Sequence, residues 1–386
     1  MLSLVLFIVI LGTIVLIHEL GHFLFAKLFG VYVYEYSIGM GKKIFSWRPK
    51  NSETEYNIRI FPIGGFVRLA GEEGEDGDET VPLERKLYKK GFWQRFLIFF
   101  MGPGFNMLLT FSTLLISCLI FGASMTTLEV DGVVEDYPAY HAGLRNGDTI
   151  LAVDGDKVAN WTEARMKISL AKAGDAIDFK IKHKDGTIET INVSPKKVEN
   201  TDCGEDVCEP SYVYGVGSKL VKKSGLIGSI EYAFLETKNI ISSMGATLKY
   251  LFTGKLGMND LSGPVGIYEV VDEQSKYGLD SLLYLLAYLS VNVGIINLIP
   301  FPAFDGGHIL FLLIEKVRGK PVSSNVEATI TGIGFICLIL LMIFVTFNDV
   351  INLFIYRDNF VSYFFFLIGL SVGICMLIGG YYLMDL

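Results

Sequence analysis

The chain has 386 residues, of which 51% are hydrophobic and only 19% are charged. This composition is too apolar for an ordinary soluble enzyme and indicates several membrane-spanning segments. The formal net charge of −8 argues against nucleic acid as a partner, because a surface that binds nucleic acid needs an excess of basic residues. The five cysteines do not form a zinc-finger pattern.

The chain begins with an uncharged apolar run, residues 2–17, followed by His18, Glu19 and His22. The run lacks the basic start and the cleavage site of a signal peptide, which favours a retained membrane span. Residues four apart lie on one face of a helix, so the two imidazoles can bind one zinc ion while Glu19 takes a proton from a bound water. An ionisable cluster in a membrane span is costly and usually functional. A solvated helix end is the alternative, but residues 23–25 are apolar again.

Residues 31–91 change to the alternating pattern of β-strands and then to a charged loop. A Pro/Gly turn that contains Gly64 and Gly65 predicts a hairpin within a small sheet. An exposed strand edge could pair with an extended peptide, while a plain cap over the helix ends is an equally good interpretation. Lys and Arg near both ends of the segment place it in the cytoplasm by the positive-inside rule.

A second apolar run, residues 92–121, contains the tripeptide Gly102-Pro103-Gly104. This tripeptide should kink a helix. Asn106 follows it and adds a polar amide to a segment of membrane length, which makes it a candidate substrate-binding residue.

Residues 125–198 have the composition of a soluble domain. The order of helix, turn, strand and Asp-Gly turn in residues 138–155 closely resembles the PDZ signature in its bacterial arrangement. A PDZ groove would bind a peptide C-terminus by strand addition, and a spacer with an unused groove is the alternative. His141 and His183 lack metal-ligand spacing and are interpreted as surface residues.

The next segment contains Cys203 and Cys208, followed by a periodic but partly charged stretch, residues 226–253. The stretch predicts an amphipathic helix on the outer membrane face, or else a helix packed on the preceding domain. The two cysteines lie outside the cell in this topology, where disulfides persist, and we expect them to pair.

The third long apolar run ends in an irregular segment with Pro300, Pro302 and Asp305. Prolines break the helix, and irregular backbone at membrane depth is tolerated only where it is buried or lines a cavity. Asp305 is therefore the candidate for the third metal ligand. Its alternative role is a helix N-cap, and the two are compatible.

The expected fold is a polytopic α-helical membrane protein with a small membrane-associated β-sheet and an inserted extracytoplasmic PDZ domain. The predicted segments are a first span with the metal motif (1–30), a cytoplasmic-side sheet and loop (31–91), a second span (92–121), the PDZ domain (125–198), a linker with an amphipathic helix (199–280), a third span with the Asp-Gly motif (281–311), a fourth span (329–347) and a fifth span (360–384) that returns the C-terminus to the cytoplasm.

In combination, these motifs resemble the site-2 protease family of intramembrane zinc metalloproteases, in the bacterial branch with RseP and RasP. The resemblance covers nearly all of residues 1–350. It rests on His-Glu-Leu-Gly-His, the Pro-Ile-Gly-Gly hairpin, Gly-Pro-Gly-Phe-Asn, the PDZ domain, Leu-Ser-Gly-Pro-Val-Gly and Asn-Leu-Ile-Pro-Phe-Pro-Ala-Phe-Asp-Gly-Gly. The family's usual Leu before the aspartate is Phe304 here, and the fifth span lies outside the usual four-span plan.

The resemblance implies that His18, His22 and Asp305 bind zinc and that Glu19 is the catalytic base. It also implies that Asn297 contacts the substrate backbone and that the hairpin holds the substrate extended. The implied activity is cleavage within transmembrane segments of single-span membrane proteins, such as anti-sigma factors or signal-peptide remnants, after a first cut by another protease. The site would lie within the bilayer of the cell membrane, toward the cytoplasm.

A membrane metal transporter and an inactive, membrane-tethered PDZ module are the alternatives. A transporter does not need a PDZ domain, and its ligands more often recur in related halves of the chain. The intact motif residues argue against an inactive module. If the protein is a protease, the PDZ domain either excludes substrates with a bulky outer domain or recruits trimmed ones.

Overall fold

The fold is taken from a computed structural model that describes residues 2–72, 80–171, 174–198, 211–257 and 261–356. Cys203, Cys208 and the predicted fifth span lie outside these residues. The chain divides into two compact units, Met1–Thr113 with Met258–Leu386, and Leu114–Gly257.

The first unit is mainly helical. Its elements are α1 (Leu2–Leu28), β1 (Val33–Trp47), β2 (Glu55–Leu69), two short 3-10 helices (Leu83–Arg85 and Leu87–Lys89), most of α2 (Phe92–Phe121), and, after the second unit, α6 (Pro264–Ser275), α7 (Leu279–Leu298), α8 (Asp305–Arg318) and α9 (Ser324–Tyr356).

Four helices in the described part of the chain are long and apolar enough to cross a membrane: α1, α2, α7 and Asn325–Ile351 of α9. Side chains of α1, α6 and α7 share one buried cluster, which includes Ile14, Val271 and Leu285. A second cluster joins the end of α1 to the sheet, α2 and α8, for example through Val33, Ile98 and Leu312.

The predicted third span, residues 281–311, is divided between two helices. Helix α7 ends at Leu298, and α8 begins at Asp305. The break follows from Pro300 and Pro302, which have no N–H for a helical hydrogen bond.

The strands β1 and β2 are long and bent, so each contributes two ladders to one small sheet. Residues 33–38 pair with 65–69 on one side and lie against 55–58 on the other, while 43–47 pair with 56–59. This order leaves 65–69 at one edge of the sheet. Gly65 on that edge lies close to α1, because a Cβ there would be 3.5 Å from Val15 Cγ1.

A buried ion pair holds the sheet together. Arg59 Nη2 lies 2.5 Å from Glu35 Oε1, and both side chains are 5% exposed. Arg59 also donates to Ser37 Oγ at 3.0 Å and to Gly41 O at 2.6 Å, and the Ser37 hydroxyl donates to Glu35. Burial raises the pKa of Glu35, but the hydrogen bonds from Ser37 and Arg59 outweigh it and leave the pKa below its usual value.

The second unit is built on an antiparallel sheet. Its elements are β3 (Ala123–Val130), α3 (Pro138–His141), β4 (Thr149–Val153), β5 (Asp156–Lys157), α4 (Trp161–Leu170), β6 (Ile177–Lys182), β7 (Ile188–Val193), β8 (Lys196–Val198), β9 (Ser211–Val213), β10 (Ser218–Lys223) and α5 (Gly225–Phe252).

The main sheet has the order β10-β3-β4-β6-β7, with β5 paired to β4, and covers a core that includes Trp161 and Phe179. Because β10 pairs with β3, the folded domain continues past residue 198, where the sequence predicted a linker. The PDZ assignment stays a prediction.

Helix α5 combines the two roles considered for residues 226–253. One face docks on α4: Asn160 Oδ1 caps α4 by accepting from Glu163 N at 2.9 Å, and Asn160 Nδ2 donates to Asn239 O of α5 at 3.1 Å. The other face leaves large apolar residues exposed, among them Ile227 at 82% and Phe252 at 77%. One face of α5 therefore packs on the preceding domain, as one interpretation predicted. The other face is apolar and exposed, as in the amphipathic helix of the other interpretation.

Replacing Arg59 with Met should lower the free energy of unfolding by about 3 kcal/mol or more, because the Glu35 carboxylate stays buried without its partner. Lys219→Met, which breaks an exposed pair with Glu129 in the second unit, should cost less than about 1 kcal/mol. Denaturant unfolding of the purified protein measures both. Equal effects of the two substitutions would contradict a structural role for the buried pair.

Since the Glu35 pKa is lowered on folding, the contribution of Glu35 to the free energy of unfolding should be lost as pH falls below the usual glutamate range. Denaturant unfolding at a series of pH values measures this loss.

Candidate active site

Helices α1 and α8 bring the three predicted metal ligands together. His18 Nε2 lies 3.2 Å from His22 Nε2, and the Asp305 oxygens lie 3.1 Å from His18 Nε2 and 3.4 Å from His22 Nε2. The two histidines are less than a tenth exposed. Among the described residues, these three form the one cluster able to hold a metal ion.

The spacing of these atoms suits zinc. Zinc–ligand bonds of about 2.0–2.1 Å in a tetrahedron separate the ligand atoms by roughly 3.3 Å, close to the three distances observed. Asp305 Oδ2 is also buried without a hydrogen-bond partner, so it has a lone pair for a cation. Two imidazoles and one carboxylate are a typical catalytic zinc set with a fourth position open.

Helix α2 fixes the orientation of His22. Ile98 O lies 2.8 Å from His22 Nδ1, which places the ring proton on Nδ1 and leaves the Nε2 lone pair for a metal. The ring lies so close to α2 that a Cβ on Gly102 would be 2.2 Å from His22 Nε2. One helical position away from His22, a Cβ on Gly21 would be 2.0 Å from Met101 O. The Gly-Pro-Gly tripeptide therefore brings α2 directly against the metal motif.

Asn106, predicted to bind substrate, lies beside His18. Its Nδ2 is 3.3 Å from His18 Nδ1, while its Oδ1 is buried without a partner. Amide oxygen and nitrogen positions are assigned from their partners. Turning the amide by half a turn pairs Oδ1 with His18 Nδ1–H and leaves His18 Nε2 for the metal. The backbone carbonyl of Asn106 accepts hydrogen bonds from the hydroxyls of Thr110 and Ser290 at 3.0 Å each, which anchors this residue between α2 and α7.

Glu19 faces a cavity of about 310 Å³ beside the metal cluster. Val67, on the edge of the sheet, lines the same cavity. A Cβ on Gly65 would lie 3.5 Å from Glu19 Cγ, so the hairpin edge and the metal motif are in contact. Gly64 has φ +87°, and its own Cβ would meet Met40. The cavity thus joins the metal cluster to a strand edge.

Asp305 is the first residue of α8 and not its N-cap. The cap position is Phe304, which makes no capping side-chain bond, so the alternative role of Asp305 as an N-cap is wrong. The irregular segment wraps the start of α8 tightly, since a Cβ on Gly306 would lie 2.3 Å from Ile299 O and one on Gly307 2.4 Å from Phe301 O. The glycines are required because the backbone passes at this distance. Asn297, predicted to contact substrate, lines the cavity from the last turn of α7.

The cavity-lining residues that were not singled out from the sequence include Glu72, Phe99 and His308. His308 had a signal, because it follows Asp305 by three positions and so shares its face of α8. Phe99 and Glu72 had none, since a phenylalanine in an apolar helix and a glutamate in an acidic loop are ordinary.

Comparison with known proteins decides the family. The model of peptidase family M50 matches residues 6–341. The chain belongs to peptidase family M50. As a member of M50, the protein is a zinc metalloprotease of the site-2 type, which confirms the predicted enzyme class and cofactor.

Relatives match over nearly their whole length. A Clostridium perfringens protein named as a candidate zinc metalloprotease is 36% identical, with 88% of this chain and 96% of that protein covered. The regulator of sigma-W protease RasP of Bacillus subtilis is 31% identical, with 90% and 98% covered. The zinc metalloprotease RasP of Shouchella clausii is 32% identical, with 91% and 99% covered.

Gly102→Ala should abolish zinc binding, because the added methyl group would occupy the space of the His22 ring. Gly104→Ala is the matched control, since its nearest contact would be the flexible Met101 side chain, with Sδ at 3.0 Å. Metal analysis of the purified variants should give about one zinc per chain for the control and much less for Gly102→Ala. Normal zinc content in a folded Gly102→Ala protein would contradict the proposed packing of α2 on His22.

Proposed function

We propose that this protein hydrolyses peptide bonds within the transmembrane segments of single-span membrane proteins, after a first cleavage elsewhere in the substrate. The observation that carries the proposal is a zinc-type ligand cluster, held by α8 and by α1, a helix of membrane length, beside the strand edge at residues 65–69. A soluble protease has no need to build its metal motif into such a helix.

His18, His22 and Asp305 would hold the zinc, with Ile98 and Asn106 orienting the two imidazoles. Bound zinc polarises the scissile carbonyl and brings the pKa of a coordinated water to about 7. Glu19, which faces the same cavity, takes the proton from the attacking water and returns it to the leaving amine.

The strand edge at residues 65–69 supports an extended substrate. A transmembrane helix hides its carbonyls in its own hydrogen bonds, so it must unwind before hydrolysis. Pairing with the edge near Gly64 and Gly65 would replace some of the bonds that are lost. Asn297, which lines the same cavity, would offer its amide to the substrate backbone.

The site lies at membrane depth in this proposal. From Leu2 to His18 is 16 residues of helix, or about 24 Å at 1.5 Å per residue, while a hydrocarbon core is about 30 Å thick. The basic segments between spans are cytoplasmic by the positive-inside rule, which puts the N-terminus and the second unit outside and the site toward the cytoplasm.

We extend the regulatory role in the name of the Bacillus subtilis relative to this chain as a proposal. Its substrates would then include single-span regulators such as anti-sigma factors, and signal-peptide remnants remain a second group. In the same proposal, the second unit is a PDZ domain with a groove for a peptide end.

Glu19→Gln should retain one zinc per chain and lose cleavage of a model single-span substrate, because the change removes the base and no ligand. His22→Ala should lose both the zinc and the activity. Metal analysis and a cleavage assay on the full-length protein measure the two properties. Cleavage by folded, zinc-loaded Glu19→Gln at the wild-type rate would refute the role of Glu19, and a zinc-loaded wild type that cuts no single-span substrate would refute the protease proposal.

Deleting the second unit should let the enzyme cut an untrimmed substrate, because that unit is inserted between the second and third spans and would exclude bulky outer domains. The deletion should remove residues 123–223, the part of that unit from β3 to β10, because β10 pairs with β3 and a cut that ends at residue 198 would leave β10 without this partner. Cleavage of trimmed and untrimmed substrates is compared with the wild type. If the deletion instead slows cutting of the trimmed substrate alone, the domain recruits substrates and does not filter them.

A further inference from the structure

One ring in the catalytic cavity has no role in the mechanism so far. His308 lines the same cavity as Glu19 and Asp305 and lies one helical turn after Asp305 on α8. It is not part of the cluster of metal-ligand atoms found among the described residues. The ring is therefore a separate nitrogen-bearing group beside the reaction site.

The ring is held from two sides. It stacks on Phe99 of α2, with ring centroids 4.8 Å apart and planes 8° from parallel. Its Nδ1 lies 3.6 Å from Glu327 Oε1 of α9, and both side chains are about 20% exposed. That distance is an ion-pair contact and too long for a hydrogen bond. An imidazole carries at least one N–H whether it is neutral or protonated, so the ring is a hydrogen-bond donor.

The charges that line the cavity indicate what a hydrogen-bond donor at His308 would do. Its lining within the described chain includes the carboxylates of Glu19, Glu72 and Asp305 and no Lys or Arg. Peptide hydrolysis places negative charge on the scissile carbonyl oxygen, which a cavity lined by carboxylates would disfavour. Enzymes commonly offset this charge with fixed hydrogen-bond donors. Apart from the metal ligands, the lining side chains with N–H donors are Asn297 and His308.

We propose that His308 is a further catalytic residue, which donates a hydrogen bond to the scissile carbonyl oxygen as negative charge develops there. Phe99 and Glu327 are its positioning residues. The assignment rests on the proposed protease function and adds a second stabilising group to the zinc. No bond is made or broken by His308, and no proton leaves it.

Two substitutions separate a donor role from a packing role. His308→Phe keeps the aromatic stack on Phe99 and removes the donor, whereas His308→Gln loses the stack and keeps an N–H. With full-length enzyme and a single-span model peptide, His308→Phe should lower kcat about 100-fold, the usual effect of losing one such donor. KM should change little, and both variants should hold one zinc per chain. His308→Gln should retain several times more kcat than His308→Phe.

The positioning residue is tested with two matched substitutions, each of which removes the carboxylate from one ion pair of α8. Glu327→Gln should lower kcat at unchanged zinc content, because the ring loses its charged partner. Glu315→Gln breaks another side-chain ion pair of α8, with Arg95 at 2.8 Å, and should leave kcat near wild type.

Several results would overturn the assignment: a His308→Phe enzyme with wild-type kcat, a His308→Phe enzyme more active than His308→Gln, or equal losses in Glu327→Gln and Glu315→Gln. Zinc loss in both His308 variants would show a structural role and overturn it as well. These results leave the protease proposal intact as long as the wild type cuts the peptide, whereas failure of the zinc-loaded wild type refutes that proposal itself.

Discussion

The close approach of α1 and α2 is the contact on which the site depends. The backbones of the two helices are in contact where Gly21 faces Met101 O. The backbone of α2 also contacts the proposed metal-binding ring where Gly102 faces His22. Helices in a membrane gain little from burying apolar surface against each other, so small residues that allow close approach are a main source of their packing. Here that approach also brings a carbonyl, Ile98 O, to the one ring nitrogen that must not bind the metal. A single methyl group at either glycine would separate the two helices and release the ring.

Charge balance would make the proposed metal site stable at membrane depth. Two neutral imidazoles, one aspartate and one further glutamate would neutralise the double charge of zinc, so the burial cost would be that of a neutral set and not of an isolated ion. The irregular segment before α8 positions the aspartate of this set. Its glycines let α8 begin against Ile299 O and Phe301 O, which places Asp305 across from the two histidines.

The predictable part of the site was set by local spacing. His18 and His22 are one helical turn apart, and any helix through them presents both imidazoles on one face, so their pairing did not require a fold. Two prolines likewise locate the break before Asp305. The contacts of Asn106 and His308 depend on which helices pack together and at what height, and no local pattern in an apolar run encodes that. The substrate-binding role of Asn106 stays a prediction, whereas its contact with His18 was not predicted from the sequence. In the second unit the same limit applied: Lys-rich β10 has the composition of a linker, and only its pairing with β3 makes it a strand.

In the proposed mechanism, the sheet would connect substrate binding to catalysis through a short chain of contacts. Arg59 pairs with Glu35 and lies 4.9 Å from the Phe66 ring, and Phe66 belongs to the edge that borders the cavity. The preceding residue on that edge, Gly65, lies against Glu19, because a Cβ there would be 3.5 Å from Glu19 Cγ. A substrate strand that pairs with residues 65–69 would therefore lie next to the Glu19 side chain. Strand pairing at this edge would thus bring an extended peptide beside both the proposed base and the metal cluster.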